Sequence, residues 1–153
     1  MIFLGLPTLT ALALRMGKPD AYGLPAERVA NPYAGAPCRH CLKNIPKGAG
    51  MLICAHRPFS APQPYAETGP IFLCAEACDA HYDAQLPEVL TTSSEYLIKA
   101  YSIDERIVYG TGQITPQAQI ASYCEALLAR DDIAFVDIRS ARNNCWQVRA
   151  IAG

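Results

Sequence analysis

Proline and glycine interrupt the first half of this chain so often that regular elements there must be short. Residues 17–37 contain Gly17, Pro19, Gly23, Pro25, Pro32, Gly35 and Pro37, and residues 57–70 contain Pro58, Pro62, Pro64, Gly69 and Pro70. Proline removes a backbone donor and fixes φ, and glycine favours turns, so both stretches read as irregular loops. Long loops inside a compact domain are commonly functional. Residues 45–50, Ile-Pro-Lys-Gly-Ala-Gly, read as a turn. Between these breaks, 51–55 and 71–74 are apolar runs expected to be strands. The polar run 76–85 is expected to be a short helix stopped before Pro87.

The second half is more regular. Tyr96, Ile98 and Ala100 alternate with Leu97, Lys99 and Tyr101, which predicts a strand over 95–102. A turn at 102–105 returns the chain as a hairpin partner at 106–109. Thr115 reads as a helix cap with Pro116 in the first turn. Ile120, Cys124, Leu127 and Leu128 then share one face, predicting the one main helix over 116–130. Residues 133–138 and 145–151 are two further strands, joined by the polar run 139–144. These elements amount to an α+β fold with a mostly antiparallel sheet. At 153 residues, 1–153 is expected to be a single domain.

Composition excludes several classes. Thirteen Lys and Arg against 14 Asp and Glu give a net charge of −1, so nothing points to nucleic acid or an anionic membrane surface. Residues 1–14 are mostly apolar, but no basic residue precedes them and Pro7 interrupts them. They read as a first strand and helix, and the protein as cytoplasmic. No nucleotide-binding glycine loop, GxSxG or HExxH is present.

Seven cysteines are then the chief chemical signal: Cys38, Cys41, Cys54, Cys74, Cys78, Cys124 and Cys145. Cys54 and Cys124 sit among apolar residues and read as core. Cys38-Arg-His-Cys41 and Cys74-Ala-Glu-Ala-Cys78 form two pairs, and paired thiols at this spacing suit a tetrahedral zinc ion. The expected ligands are Cys38, Cys41, Cys74 and Cys78, with His40 or His81 able to replace one. A dithiol redox site at Cys38–Cys41 is the rival, but Pro46 and Gly48 leave no room for the long helix such a site opens. Unligated thiols are the plain alternative.

Two more polar groups are candidates. His56-Arg57 and Tyr65-Ala-Glu67 could line a polar pocket, or Glu67 could pair with Arg57 to pin the loop. Arg139-Ser-Ala-Arg142-Asn143-Asn144-Cys145-Trp146 could grip a carboxylate or phosphate, or form a hairpin loop in which Asn-Asn adopts left-handed backbone.

Pro37-Cys38-Arg39, Pro64-Tyr65, Gly69-Pro70-Ile71-Phe72, Lys99-Ala100-Tyr101 and Ala141-Arg142-Asn143-Asn144-Cys145 occur in this order. In them the chain resembles a small bacterial family catalogued as domain of unknown function 1203, over nearly its whole length. The resemblance implies no reaction. It implies that Cys38 and Cys145 are commonly cysteine, and that many members lack a second cysteine at the position of Cys41. Closer relatives resemble the chain at Cys41 and Cys78 but carry histidine at the position of Cys74. That exchange suits a zinc ligand and not a dithiol redox pair, and the wider family's departure at Cys41 makes the metal a subfamily trait. The resemblance also raises a second site, a small enzyme or anion-binding pocket using Cys38 or Cys145 with Arg39, Arg142 and Asn143.

Overall fold

The computed structural model describes residues 1–153. Its strands are β1 (Ile2–Leu4), β2 (Glu27–Ala30), β3 (Ala36–Pro37), β4 (Asn44–Ile45), β5 (Gly50–His56), β6 (Gly69–Cys74), β7 (Tyr82–Asp83), β8 (Glu95–Tyr101), β9 (Gln113–Pro116), β10 (Phe135–Ser140) and β11 (Trp146–Ile151). Two α-helices accompany them, α1 (Thr8–Arg15) and α2 (Ile120–Leu128). The strands form three antiparallel sheets, ordered β7-β1-β11-β10-β8-β9, β2-β5-β6 and β3-β4. The α+β class and antiparallel pairing follow the sequence reading. No helix is long and apolar enough to cross a membrane.

The alternation in β8 sorts its side chains to two faces. Tyr96, Ile98 and Ala100 join Val136, Ile138, Val148 and Ala150 in a first core, which α2 closes with Ile120, Cys124 and Leu127. On the opposite face Tyr101 stacks on Phe135 at 5.1 Å between ring centroids, and Phe59 meets Tyr101 edge-on at 5.3 Å. A second core lies between α1, the small sheets and the cysteine-bearing turns. It includes Leu6, Ala11, Leu14, Cys38, Cys41, Met51, Cys54, Ile71 and Leu73.

One irregularity shapes the large sheet. The β10–β11 register runs Val136↔Ala150 and Ile138↔Val148, then shifts to Arg139↔Trp146. Directly paired residues share a face, so this bulge carries Trp146 to the face of Arg139, away from Val148. Asp137, also on that face and fully buried, is held by Arg149 through bonds of 2.8 and 3.0 Å.

Four expectations are corrected. The helix predicted over 116–130 begins at Ile120, because Thr115 and Pro116 pair with Tyr96 and Glu95 as the end of β9. A tight 3-10 turn, Gln117–Gln119, bridges the two. The expected helix at 76–85 is absent. That segment bends around the cysteine pair and ends in β7, which pairs with β1. Residues 17–37 hold β2 and β3, the former exposed along its length. The 106–109 return is only a bridge, Tyr101↔Ile107, and β9 takes the place beside β8.

Candidate metal centre and a neighbouring polar cavity

Cys38 follows β3, and the chain turns sharply to Leu42, whose N–H donates to the Cys38 carbonyl at 3.0 Å. Leu42 closes the turn in the left-handed region at φ 54° while fully buried. A non-glycine residue there is strained by about 1–2 kcal/mol, so core packing must hold it. The turn is bound sideways to β6: Arg39 N–H donates to the Phe72 carbonyl at 2.9 Å, and Cys74 N–H to the Cys38 sulfur at 3.3 Å. Cys74 ends β6, and the 75–77 bend returns Cys78 to the same place.

The sulfurs of Cys38, Cys41, Cys74 and Cys78 all lie within 4.8 Å of one another. Cys38 Sγ and Cys78 Sγ are 3.9 Å apart. A tetrahedron with metal–sulfur bonds of about 2.3 Å has sulfur–sulfur edges of about 3.8 Å; the Cys38–Cys78 edge matches that length, and the cluster as a whole could hold a metal ion. All seven cysteines are free thiols.

The electrostatics point the same way. Hydrogen bonds from the Cys41 and Cys74 thiols hold the Cys38 thiol far below its ordinary value. The bond to Cys38 in turn pushes Cys41 up to about 12 and Cys74 upward as well. Without a cation, one sulfur takes the charge and its neighbours stay protonated, because like charges this close oppose one another. A divalent ion removes that conflict.

Three groups back the sulfurs. Arg15, at the end of α1, donates from Nη2 to Cys78 Sγ at 3.1 Å and from Nε to the Cys74 carbonyl at 3.0 Å. His40 Nδ1 lies 3.2 Å from Cys78 Sγ, and its Nε2 lies 3.0 Å from the Thr8 hydroxyl. Burial and the Arg15 charge hold His40 below the ordinary imidazole value. As a neutral ring it can donate from Nδ1 to the sulfur and accept from Thr8 at Nε2. His40 thus stands behind Cys78, outside the four-sulfur set. His81 also lies outside that set, with its Nε2 buried and unpartnered. Arg15 and Thr8 carry no sequence motif; only the docking of α1 brings them here.

Cys54 and Cys124 are buried in the two cores, as expected. The second proposed site is not assembled as the sequence suggested. Arg39 is buried and braces its surroundings, donating to the Trp146 carbonyl at 2.7 Å and the Pro37 carbonyl at 2.6 Å. Arg142 is exposed in a separate groove with Ser93, Ser94 and Glu95. Cys145 instead lines a cavity of about 180 Å³ with His56, Glu67, Arg139, Asn143 and Trp146. Glu67 pairs with Lys99 at 3.0 Å and Arg139 at 2.9 Å, while Arg57 turns to the Phe59 carbonyl. Of the two alternatives for this loop, the Glu67–Arg57 pair is not formed, while His56 and Glu67 do line a cavity. The available signal for Arg139 was a charged residue two positions after Asp137 in an otherwise apolar strand, which needs a partner if buried.

The family profile described as "Protein of unknown function (DUF1203)" matches residues 35–151. No curated protein and no solved structure matches the chain.

Proposed function

The chain belongs to the DUF1203 family, and we propose that its Cys38–Cys41–Cys74–Cys78 cluster holds one structural zinc ion. The supporting observation is the convergence of four sulfurs within 4.8 Å of one another, one pair of them at 3.9 Å. Thiolate-only coordination suits zinc, and four protein ligands close the shell, leaving no position for a water nucleophile. The ion would join the 38–41 turn to the end of β6, with α1 docked over Cys78 through Arg15. Donors to a ligating sulfur orient it and offset part of its charge. A redox role for Cys38–Cys41 finds no support, since a tight turn and not a helix follows Cys38.

Protein purified without added metal should contain about one zinc per chain by elemental analysis, and chelation should lower its thermal stability, because metal binding is coupled to folding. Absence of metal, together with free alkylation of Cys38 and Cys41 in the folded protein, would overturn the reading. Arg39 and Arg142 share no pocket, the first buried against Trp146 and Pro37 and the second exposed in a separate groove. With no basic excess, this reading requires neither nucleic acid nor membrane.

A further inference from the structure

β2 is an edge strand, with β5 on one side and no strand on the other. All four of its residues are exposed. The far edge of the same sheet is capped by the Cys38 turn, which bridges β6 at Phe72 and accepts the Cys74 N–H on the Cys38 sulfur. β2 is thus the edge left open along its whole length. In an antiparallel pair, alternate residues point both backbone groups to the neighbour or both away from it. Asn31 N–H donates to the Ala49 carbonyl at 2.8 Å, so Asn31, Val29 and Glu27 face β5. Gly50, opposite Ala30, gives its carbonyl to Ala75 N–H on the β6 side at 2.9 Å, in agreement with that alternation. Arg28 and Ala30 therefore present N–H and C=O to the open side.

Those outward groups restrict how a second copy of β2 can pair. Antiparallel bonds form only where outward residues meet outward residues, so the two-fold axis must fall on a residue. Centred on Glu27 or Arg28, it sets like charges face to face, which is destabilising. Centred on Ala30, it brings Arg28 against Pro32, which has no N–H to give. Centred on Val29, it sets Arg28 opposite Ala30 of the other copy on both sides of the axis, making four backbone hydrogen bonds. Val29 then meets its own counterpart, and Glu27 meets Asn31. The Arg28 charge is offset within its own chain by Glu76 at 3.2 Å. Directly paired residues share a face, so Val29 lies on the face of Ile53 and Phe72. Tyr33, 54% exposed, rests its ring 6.3 Å from that of Phe72 and widens the apolar surface there. A net charge of −1 opposes the approach of two copies little.

We propose that β2 is the interface of a homodimer, pairing antiparallel with β2 of a second copy about Val29 and merging two three-stranded sheets into one of six strands. The two-fold consumes both open edges, so assembly stops at two chains. Glu27 and Arg28 select the register by opposing the alternatives centred on them. The interface is independent of the zinc reading, as β2 holds no member of the four-cysteine cluster.

Sedimentation equilibrium of the full chain over a range of concentrations should show a reversible monomer–dimer equilibrium. Val29→Lys and Val29→Glu, both at an exposed position, should each weaken self-association about tenfold or more by setting like charges across the axis. Mixing the two variants should restore a dimer with one chain of each, resolved by mass in native mass spectrometry. Ala30→Pro removes an outward donor, leaves the β5 ladder intact and should weaken the dimer as well. Amide exchange followed by NMR should slow at Arg28 and Ala30 as protein concentration rises. A chain that stays monomeric up to about 1 mM, a dimer indifferent to Val29→Lys, or mixed variants that remain apart would overturn the interface. Protection of those two amides only on adding a chain of different sequence would assign the edge to that partner and likewise overturn self-pairing.

Discussion

Arg15 Nη2 donates to Cys78 Sγ across 3.1 Å, joining the last turn of α1 to a cysteine 63 positions along the chain. The same guanidinium holds the Cys74 carbonyl through Nε, so one side chain fixes both ends of the second cysteine pair. Lysine has one nitrogen and cannot serve both acceptors in this geometry. Arg15→Lys should retain the fold but release zinc to a competing chelator about 10–100-fold more readily. An unchanged apparent affinity would show that α1 merely covers the site.

Cys41→Ser and Cys124→Ala separate a ligand from a core residue. Cys124 is fully buried on the inner face of α2, in a different core from the four-cysteine cluster. Truncating it should lower stability by about 1–2 kcal/mol and leave the metal in place. Cys41→Ser should lose zinc and lower the melting temperature by considerably more, as read by calorimetry with parallel metal analysis. Equal small effects would argue that Cys41 is also only packing.

Gly5 lies where β1 leads into α1, against the backbone of the 38–41 turn. Its N–H donates to the His81 carbonyl at 3.2 Å, and His81 N–H donates to the His40 carbonyl at 3.0 Å. A Cβ at this position would clash with the His40 carbonyl oxygen and stand 2.8 Å from that of Arg39. Both obstacles are backbone and cannot swing aside. Gly5→Ala should therefore destabilise the protein and weaken zinc retention together, a coupling measured by thermal melts at graded chelator concentration. Loss of stability with normal metal affinity would mean that the turn does not move.

His56 titrates at about 4 in the folded chain because burial, then the charges of Arg149, Arg57 and Arg39, oppose its protonation. In the unfolded chain it titrates near ~6.5. Its contribution is therefore fully present above pH ~6.5. Stability is lost as pH falls from there toward about 4, because only the unfolded chain takes the proton. The loss attributable to this ring is on the order of 3 kcal/mol. His56→Gln should flatten that part of the curve in denaturant titrations at pH 7, 5.5 and 4. A residual slope remains from His40 and His81, which are also depressed. An unaltered slope would place His56 in water.

The sequence disclosed those features that depend on near neighbours. The alternation of β8, the apolar runs of β5, β6 and β10, and the helical face of Ile120, Cys124 and Leu127 all express a single element's burial. The four cysteines were legible because tight turns bring paired thiols together whatever the rest of the fold does. The 76–85 segment was misread because polar composition suits a surface helix, yet its path is dictated by Cys78 returning to Cys38 and by β7 reaching β1. Thr115-Pro116 carried the composition of a helix start but lies where a strand edge was available beside Glu95 and Tyr96. Arg39 and Arg142 were grouped by nearness to cysteines in sequence; in space one braces Trp146 and the other faces solvent. The Arg15–Cys78 and Glu67–Arg139 contacts join residues more than 60 positions apart, and no local pattern encodes them.

The β10–β11 bulge makes the Arg139 cavity depend on strand register as much as on residue identity. Between Val148 and Trp146 the side-chain direction reverses face because one extra residue is accommodated there. Closing the bulge at constant length would pair Arg139 with Gln147, and a one-residue slip turns a side chain to the opposite face. Trp146 would then leave the cavity although every residue lining it was still present. Deleting Gln147 would instead even the ladder with Trp146 still opposite Arg139. A related chain with matching Arg139, Cys145 and Trp146 but an unbulged hairpin of the same length should consequently lack the pocket.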